Sequence, residues 1–135
     1  MDRNPSVIDI AGFTRITENS INTVIQMAYI DVRDWVALKK YDENKRSYMQ
    51  MYVELGEQGE LSPLACSTVL REHLSVYFKY HDTDYKDLKN MLGIEPLSVT
   101  LIPRGTLLRF EGKFGRKIRK INPSRQDEIE LLRLK

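Results

Sequence analysis

Apolar residues recur every three or four positions in the first third of the chain. After Thr17, this spacing is kept by Ile21, Val24, Ile25, Ala28, Val32, Trp35 and Val36. Residues three and four apart share one face of an α-helix, so the pattern predicts an amphipathic helix over residues 18–40. Thr17 is a good N-cap, and Glu18 suits the positive end of the helix dipole. Residues 1–16 show no clear period and are expected to form an N-terminal arm or a short edge strand.

Residues 47–55 fit two kinds of secondary structure. Tyr48 and Tyr52 have helical spacing, whereas Met49 and Met51 belong to an alternating pattern that is typical of a strand. Helix is favoured because Met, Gln, Glu and Leu, which form helices readily, outweigh the aromatic and β-branched residues. A strand remains the alternative.

Start signals predict two further helices. Ser62 is an N-cap residue, and Pro63 follows at the first helical position, where its missing N–H costs nothing. These two residues predict a helix over residues 63–80. A second N-cap, Thr83, predicts a shorter helix over residues 84–92.

The period changes to two near the C-terminal end of the chain. From Leu97 to Leu101 apolar and polar residues alternate, and the turn chemistry of Ile102–Gly105 follows, so a β-hairpin is predicted over residues 97–111. The tail, residues 122–135, is expected to hold one short helix. The expected fold is therefore α+β: a mainly helical single domain, residues 17–121, with a C-terminal β-hairpin and a basic extension.

Charge is distributed unevenly along the 135 residues. The formal net charge is only +2, but residues 104–135 carry ten Lys and Arg against four Asp and Glu, and the preceding residues are net acidic. Clustered like charges repel one another unless a partner screens them. The basic end therefore predicts contact with phosphates or with an acidic partner.

The cations are densest between residues 104 and 125, where Glu111 is the only acid. The eight cations are Arg104, Arg109, Lys113, Arg116, Lys117, Arg119, Lys120 and Arg125. Such a cluster binds phosphate backbones by releasing condensed counterions. The sequence therefore predicts a non-catalytic nucleic-acid-binding module that contacts DNA or RNA through these side chains. The alternative is a solvated edge strand whose charges discourage aggregation.

The segment Ser67–Leu74 resembles the recognition helix of helix-turn-helix proteins. The resemblance implies a winged-helix arrangement, with Thr68, Arg71, Ser75 and Lys79 facing DNA and the predicted hairpin as the wing. An ordinary core helix with a polar outer face is the alternative, and it is the commoner arrangement.

The remaining reactive side chains do not form a recognisable catalytic or metal-binding set. Cys66 and His73 lie two helical turns apart, which is too far for a thiol–imidazole hydrogen bond. The cluster from His81 to Asp87 lacks the glycine and the distal glutamate of a calcium loop. Neither enzymatic activity nor a metal or cofactor is expected.

A structural role is the alternative function. Seven tyrosines suit protein interfaces, and opposite charges at two ends of a small body allow head-to-tail contacts. The chain would then be a homo-oligomer, or a subunit of a virus particle or another multiprotein complex. No apolar run reaches the roughly 18 residues that span a bilayer, so no membrane partner is expected. The expected location is cytoplasmic, or the virion if the alternative holds.

Overall fold

Five strands and four helices are present in the part of the chain that the computed structural model describes, which comprises residues 7–10, 14–57, 59–81 and 97–135. The strands are β1 (Val7–Ile10), β2 (Thr14–Thr17), β3 (Val32–Tyr41), β4 (Ser47–Leu55) and β5 (Leu97–Leu101). The helices are α1 (Glu18–Ala28), α2 (Pro63–His81), α3 (Thr106–Phe114) and α4 (Arg125–Arg133).

The larger sheet has the strand order β3-β4-β5. β3 and β4 form an antiparallel hairpin, and β5 lies parallel to β4. Parallel neighbours need a long crossover, and the connection between these two strands contains α2. At the other edge, Ala37 donates its N–H to the carbonyl of Lys120 and accepts a hydrogen bond from the N–H of Asn122, both at 2.8 Å. The end of the basic segment thus runs along β3.

This sheet is buried on both faces. On one face, Trp35 and Met51 pack in a cluster with residues of the small β1–β2 sheet, α1 and α2. On the other face, Val36 and Tyr52 pack in a second cluster with Phe110 of α3 and residues of α4. The fold therefore has three layers with the sheet in the middle.

The expectation of a mainly helical domain with a C-terminal β-hairpin is wrong, and the first difference is at residues 18–40. The helix ends at Ala28, because Tyr29 takes a left-handed conformation with φ of 55° and closes the last turn by donating its N–H to the carbonyl of Gln26 at 3.3 Å. Residues 32–41 form β3. Valine and tryptophan favour strands, and burial on both faces removes the alternation that marks a half-exposed strand.

Residues 47–55, for which helix is favoured by composition, form the central strand β4. All nine of its residues pair with β3, with one shift of register between Val32 and Asp34, and five of the nine also pair with β5. Pairing on both sides satisfies the backbone and buries both faces, so tertiary context overrides helix propensity. The strand alternative is the correct interpretation here.

The predicted hairpin over 97–111 is replaced by a strand and a helix. Its first half is β5, whereas its second half belongs to α3. Gly105 precedes α3 with φ of 93°, a conformation that residues with a side chain rarely adopt. The carboxylate of Glu54 accepts hydrogen bonds from the N–H groups of Gly105 at 2.7 Å and Leu107 at 2.8 Å, which stabilises the helix start.

Three further predicted segments can be compared with the structure. α2 begins at Pro63, and the Ser62 hydroxyl accepts a hydrogen bond from the N–H of Ala65 at 3.1 Å, as an N-cap does. Within the expected N-terminal arm, β1 and β2 pair as an antiparallel hairpin. The helix expected over residues 84–92 lies outside the described residues.

Glu128 connects α4 to the larger sheet. Its side chain is almost fully buried, and Oε2 accepts hydrogen bonds from the Tyr52 hydroxyl at 2.6 Å and from Lys40 Nζ at 2.9 Å. Burial, together with the hydrogen bond to Glu128, raises the pKa of the Tyr52 hydroxyl, which therefore stays protonated and donates. A buried carboxylate needs such donors because it has lost its hydration.

We expect Glu128→Ala to lower the free energy of unfolding by about 2 to 3 kcal/mol, because it leaves two buried or half-buried donors without their acceptor. Urea unfolding followed by the fluorescence of Trp35, the single tryptophan, measures the change. Glu43→Ala, in the exposed β3–β4 turn, is the control and should change stability by less than about 0.5 kcal/mol. Equal losses in the two variants would contradict this role.

Candidate anion-binding groove

None of the eight cations of the basic segment lies on a hairpin. Arg104 lies in the turn before α3, and the others lie on α3, on the loop that follows it and at the start of α4. Three of them pair with carboxylates, and two hydrogen-bond to uncharged groups. Arg116 forms a two-point ion pair with the carboxylate of Asp127, at 2.9 and 2.8 Å. Lys120 Nζ lies 2.7 Å from Asp34 Oδ1 and 4.4 Å from the centre of the Trp35 ring. These contacts fasten the loop to α4 and to β3.

Arg109 and Lys113, both on α3, contact groups near the C-terminal end of the chain and at the start of α3. Arg109 Nε donates to the carbonyl oxygen of Leu134 at 3.1 Å, and its Nη2 donates to the Thr106 hydroxyl at 3.2 Å. Lys113 Nζ lies 3.5 Å from a carboxylate oxygen of Glu130. Both side chains therefore help to hold α3 against the C-terminal end of the chain.

Like Arg109, the other four cations have no carboxylate partner among the described residues. Lys117, Arg119 and Arg125 are exposed and form no hydrogen bond or ion pair with any residue that the structure describes. Arg104 is also exposed, and its Nε donates to the uncharged carbonyl of Leu55 at 3.2 Å. A bound anion would meet these charges without first breaking an ion pair seen in the structure.

A groove of about 370 Å³ lies between the β3–β4 hairpin, the start of α3 and the loop after α3. Arg33, Arg104, Lys117 and Lys120 line it, and its apolar wall includes Leu108. Two of the four, Arg104 and Lys117, belong to the predicted phosphate-binding set and lack a carboxylate partner among the described residues. These side chains bring several positive charges to one groove.

Three carboxylates also line this groove, and two of them are already bound. Glu54 is 3% exposed and holds the backbone N–H groups at the start of α3. Asp34 binds Lys120 and accepts a hydrogen bond from the N–H of Trp35 at 2.8 Å. Glu111 is the third, and it has no hydrogen-bond partner among the described side chains. Four cations and three carboxylates line the groove, so its formal charge balance is +1.

The sequence pattern does not identify Arg33 as a residue of the groove. In the predicted 18–40 helix it was one more outward-facing polar residue, and nothing in the spacing connects it with residues 104–125, which are distant along the chain. The pairing of β3 with β4 brings it to the groove. Only the assignment of residues 32–41 to a strand would have connected Arg33 with the groove.

The winged-helix arrangement does not fit the structure. Thr68 and Arg71 are exposed on α2, but Ser75, expected to face DNA, is 6% exposed. The expected wing is occupied in its second half by α3. α2 therefore fits the alternative, a core helix that buries Leu70 and Leu74.

The other chemical candidates contribute no site in the described part of the chain. Cys66 is fully buried, and burial raises the pKa of its thiol, which makes it a poor nucleophile. His73 Nδ1 lies 2.9 Å from the carbonyl of Val69 in its own helix. No three potential metal ligands come together among residues 7–10, 14–57, 59–81 and 97–135, and Asp82, Asp84 and Asp87 lie outside them. None of the described helices combines the length and apolar character needed to cross a bilayer.

Comparison with known proteins gives a likeness of fold. No family model and no curated protein matches the chain. Among solved structures, the adenylation and carrier-protein part of McyG, complexed with phenylalanyl-adenylate, aligns with a TM-score of 0.52 at 13% identity, over 95% of this chain and 19% of that chain. This chain therefore spans about a fifth of that protein.

Two further solved structures give lower scores. The amide bond synthetase McbA from Marinactinospora thermotolerans aligns with a TM-score of 0.47 at 14% identity, over 95% of this chain and 20% of that chain. A domain of phenylacetate-coenzyme A ligase from Bacteroides vulgatus aligns with a TM-score of 0.41 at 19% identity, over 75% and 82%. Such likenesses have no bearing on nucleic-acid binding or particle assembly.

The Arg116–Asp127 ion pair generates a pH-dependent prediction. The hydrogen bonds from Arg116 hold the pKa of the Asp127 carboxyl below its ordinary value. Because the folded-state pKa lies below that of the unfolded chain, the ion pair stabilises the fold above the unfolded pKa, and this stabilisation is lost as pH falls through the folded-state pKa.

We therefore expect the stability difference between the unaltered protein and Asp127→Asn to be largest near neutral pH and to shrink below about pH 4. Urea unfolding at a series of pH values measures both proteins. A difference that stays constant from neutral to acidic pH would contradict the ion pair as its cause.

Proposed function

We propose that this chain is a nucleotide-binding domain that works with a larger protein body in an adenylate-forming ligase. Its groove contributes cations to the phosphate of an adenylate, and no residue in the described part of the chain is assigned a nucleophilic role. The observation that carries the proposal is the groove, in which Arg104 and Lys117 have no carboxylate partner among the described residues.

The size of the groove supports a small ligand. Sites for small molecules and cofactors commonly enclose about 300 to 1,000 Å³, and this groove has about 370 Å³. One nucleotide is therefore a better match than a long polymer lying across the surface. The apolar wall beside the cations also suits a ligand that joins a phosphate to an uncharged ring system.

The chemistry of adenylates explains what the cations would do. An acyl adenylate joins a carboxyl group to a phosphate, and negative charge collects on the phosphate oxygens as this bond forms or breaks. Fixed positive groups lower the energy of such charge, and they do so more effectively where a groove restricts water. Arginine and lysine are the side chains suited to this role.

The likeness of fold supplies the chemical class of the ligand. The McyG structure contains phenylalanyl-adenylate, and this chain resembles about a fifth of that protein. A domain of this size would need a larger body to hold the rest of the substrate. The expectation from the sequence of a larger protein assembly thus becomes, in this proposal, a specific partner: the body that binds the acyl group.

We expect the purified protein to bind adenosine monophosphate (AMP), and Lys117→Glu to weaken that binding at least about tenfold, because an attractive charge becomes a repulsive one. Isothermal titration at low and physiological ionic strength measures the affinity, which should fall as salt screens the charges. Lys45→Glu, in the exposed β3–β4 turn, makes the same charge change away from the groove and should leave the affinity nearly unchanged. An unaltered protein with no affinity for AMP at low salt would contradict the proposal.

A second candidate function is binding of a nucleic-acid backbone, as the sequence predicts. It is favoured by Arg119 and Arg125, which are exposed, have no partner among the described residues and do not line the groove. Together with Lys117 they give three exposed cations that a phosphate backbone could contact. A polymer would use all three, whereas a mononucleotide would use the groove.

For this second candidate we expect the unaltered protein to retain a labelled DNA or RNA oligonucleotide at low salt. Arg119→Glu combined with Arg125→Glu should abolish retention and flatten its salt dependence, because fewer counterions are released. The same double variant should keep its affinity for AMP. Absence of retention at low salt in the unaltered protein would rule out the second candidate.

A further inference from the structure

We infer that Arg33 and Leu108 complete a subsite for one nucleoside monophosphate in this groove: Arg33 binds the phosphate together with Lys117, and Leu108 contacts the base. This inference rests on the proposed function and makes it specific. It assigns a role to an arginine that is distant along the chain from the basic segment.

An irregularity in β3 places Arg33 at the groove. Val32 pairs with Leu55 and Asp34 pairs with Glu54, so two residues of β3 advance while β4 advances by one, and Arg33 is the extra residue of a β-bulge. Bulges redirect a side chain and are frequent beside functional sites.

The packing on either side of the bulge shows its effect. Val32 and Trp35 both pack against the first core cluster, although strict alternation would place residues three apart on opposite faces of the sheet. The extra residue at the bulge shifts the alternation by one position, so both side chains lie on the same face. Arg33 consequently remains exposed and lines the groove, without an ion pair or hydrogen bond to any described residue.

The opposite wall of the groove is fixed by the start of α3. Glu54 binds the N–H groups of Gly105 and Leu107, so these helix-terminal donors already have an anion. A ligand phosphate must therefore use side-chain cations instead of the helix start. Arg104, Lys117 and the redirected Arg33 are the candidates that line the groove.

Leu108 supplies a second kind of contact. It follows the fixed residue Leu107, it lines the groove, and it is 72% exposed. A large apolar side chain beside unpaired cations favours a ligand that has both a charged group and an uncharged planar group. A nucleoside monophosphate has both, whereas inorganic phosphate has only the first.

Substitution of Glu111 should change the affinity in the opposite direction. Its carboxylate lines the same groove and has no described side chain as a hydrogen-bond partner. It would repel a bound phosphate, so removing its charge should strengthen binding. A merely structural effect of substitution would not produce both gains and losses of affinity in one groove.

The experiment compares four full-length variants by titration with AMP and with inorganic phosphate. We expect Arg33→Ala to weaken AMP binding about tenfold, as loss of a charge-assisted hydrogen bond does. Glu111→Gln should strengthen AMP binding about two- to fivefold, the size expected for one screened charge. Leu108→Ser should weaken binding of AMP but not of inorganic phosphate. Arg46→Ala, in the exposed β3–β4 turn, is the matched control for Arg33 and should bind as the unaltered protein does.

The outcomes separate this inference from the function on which it rests. Lack of AMP binding by the unaltered protein would overturn both. AMP binding that weakens in Lys117→Glu but is the same in Arg33→Ala and Arg46→Ala would overturn the role of Arg33 and leave the proposed function standing. Equal weakening of AMP and inorganic phosphate in Leu108→Ser would overturn the contact with the base.

Discussion

The carboxylate of Glu54 fixes the point at which the basic part of the chain meets the sheet. It lies near the end of the central strand, almost fully buried, and its two oxygens accept the backbone N–H groups of Gly105 and Leu107. A buried carboxylate is stable only with such donors, and a helix start has unpaired N–H groups to offer. This contact determines where α3 begins, and with it where Arg104 and Leu108 stand relative to β3.

The remaining contacts of the basic segment follow from that position. Phe110 of α3 packs in the second core cluster, and Arg116 binds Asp127 at the start of α4. Lys120 then reaches Asp34 while the chain runs along β3. The sequence alone does not distinguish these cations from one another. In the structure, some of them form ion pairs that stabilise the fold, and others have no carboxylate partner among the described residues and can bind a ligand.

The wrong helix prediction for residues 32–40 has a physical cause. Trp35 and Val36 follow Val32 by three and four positions, which is the spacing of one helix face. In β3 this spacing arises because the bulge at Arg33 brings Val32 and Trp35 to the same face of the sheet, and because Trp35 and Val36 are both buried. The predicted caps at Thr17 and Ser62 form the local hydrogen bonds that their sequence positions predict, because these bonds depend only on neighbouring residues. The helical form of residues 106–114 depends partly on Glu54, some fifty residues earlier, which no local pattern contains.

The same reasoning applies to the groove. Arg104 and Lys117 could be selected from the sequence as phosphate ligands, because charge density is a local property. Arg33 could not, since its place depends on strand pairing and on one extra residue in β3. Nor could the sequence separate Lys117 from Lys120, which the fold pairs with Asp34.

The most direct test of the central claim is a map of amide chemical shifts in the uniformly labelled protein during titration with AMP at low salt. We expect the largest changes to cluster around residues 33–36, 104–108 and 117–120, which surround the groove. Changes concentrated in α2 or in the β3–β4 turn, with these residues unaffected, would contradict it.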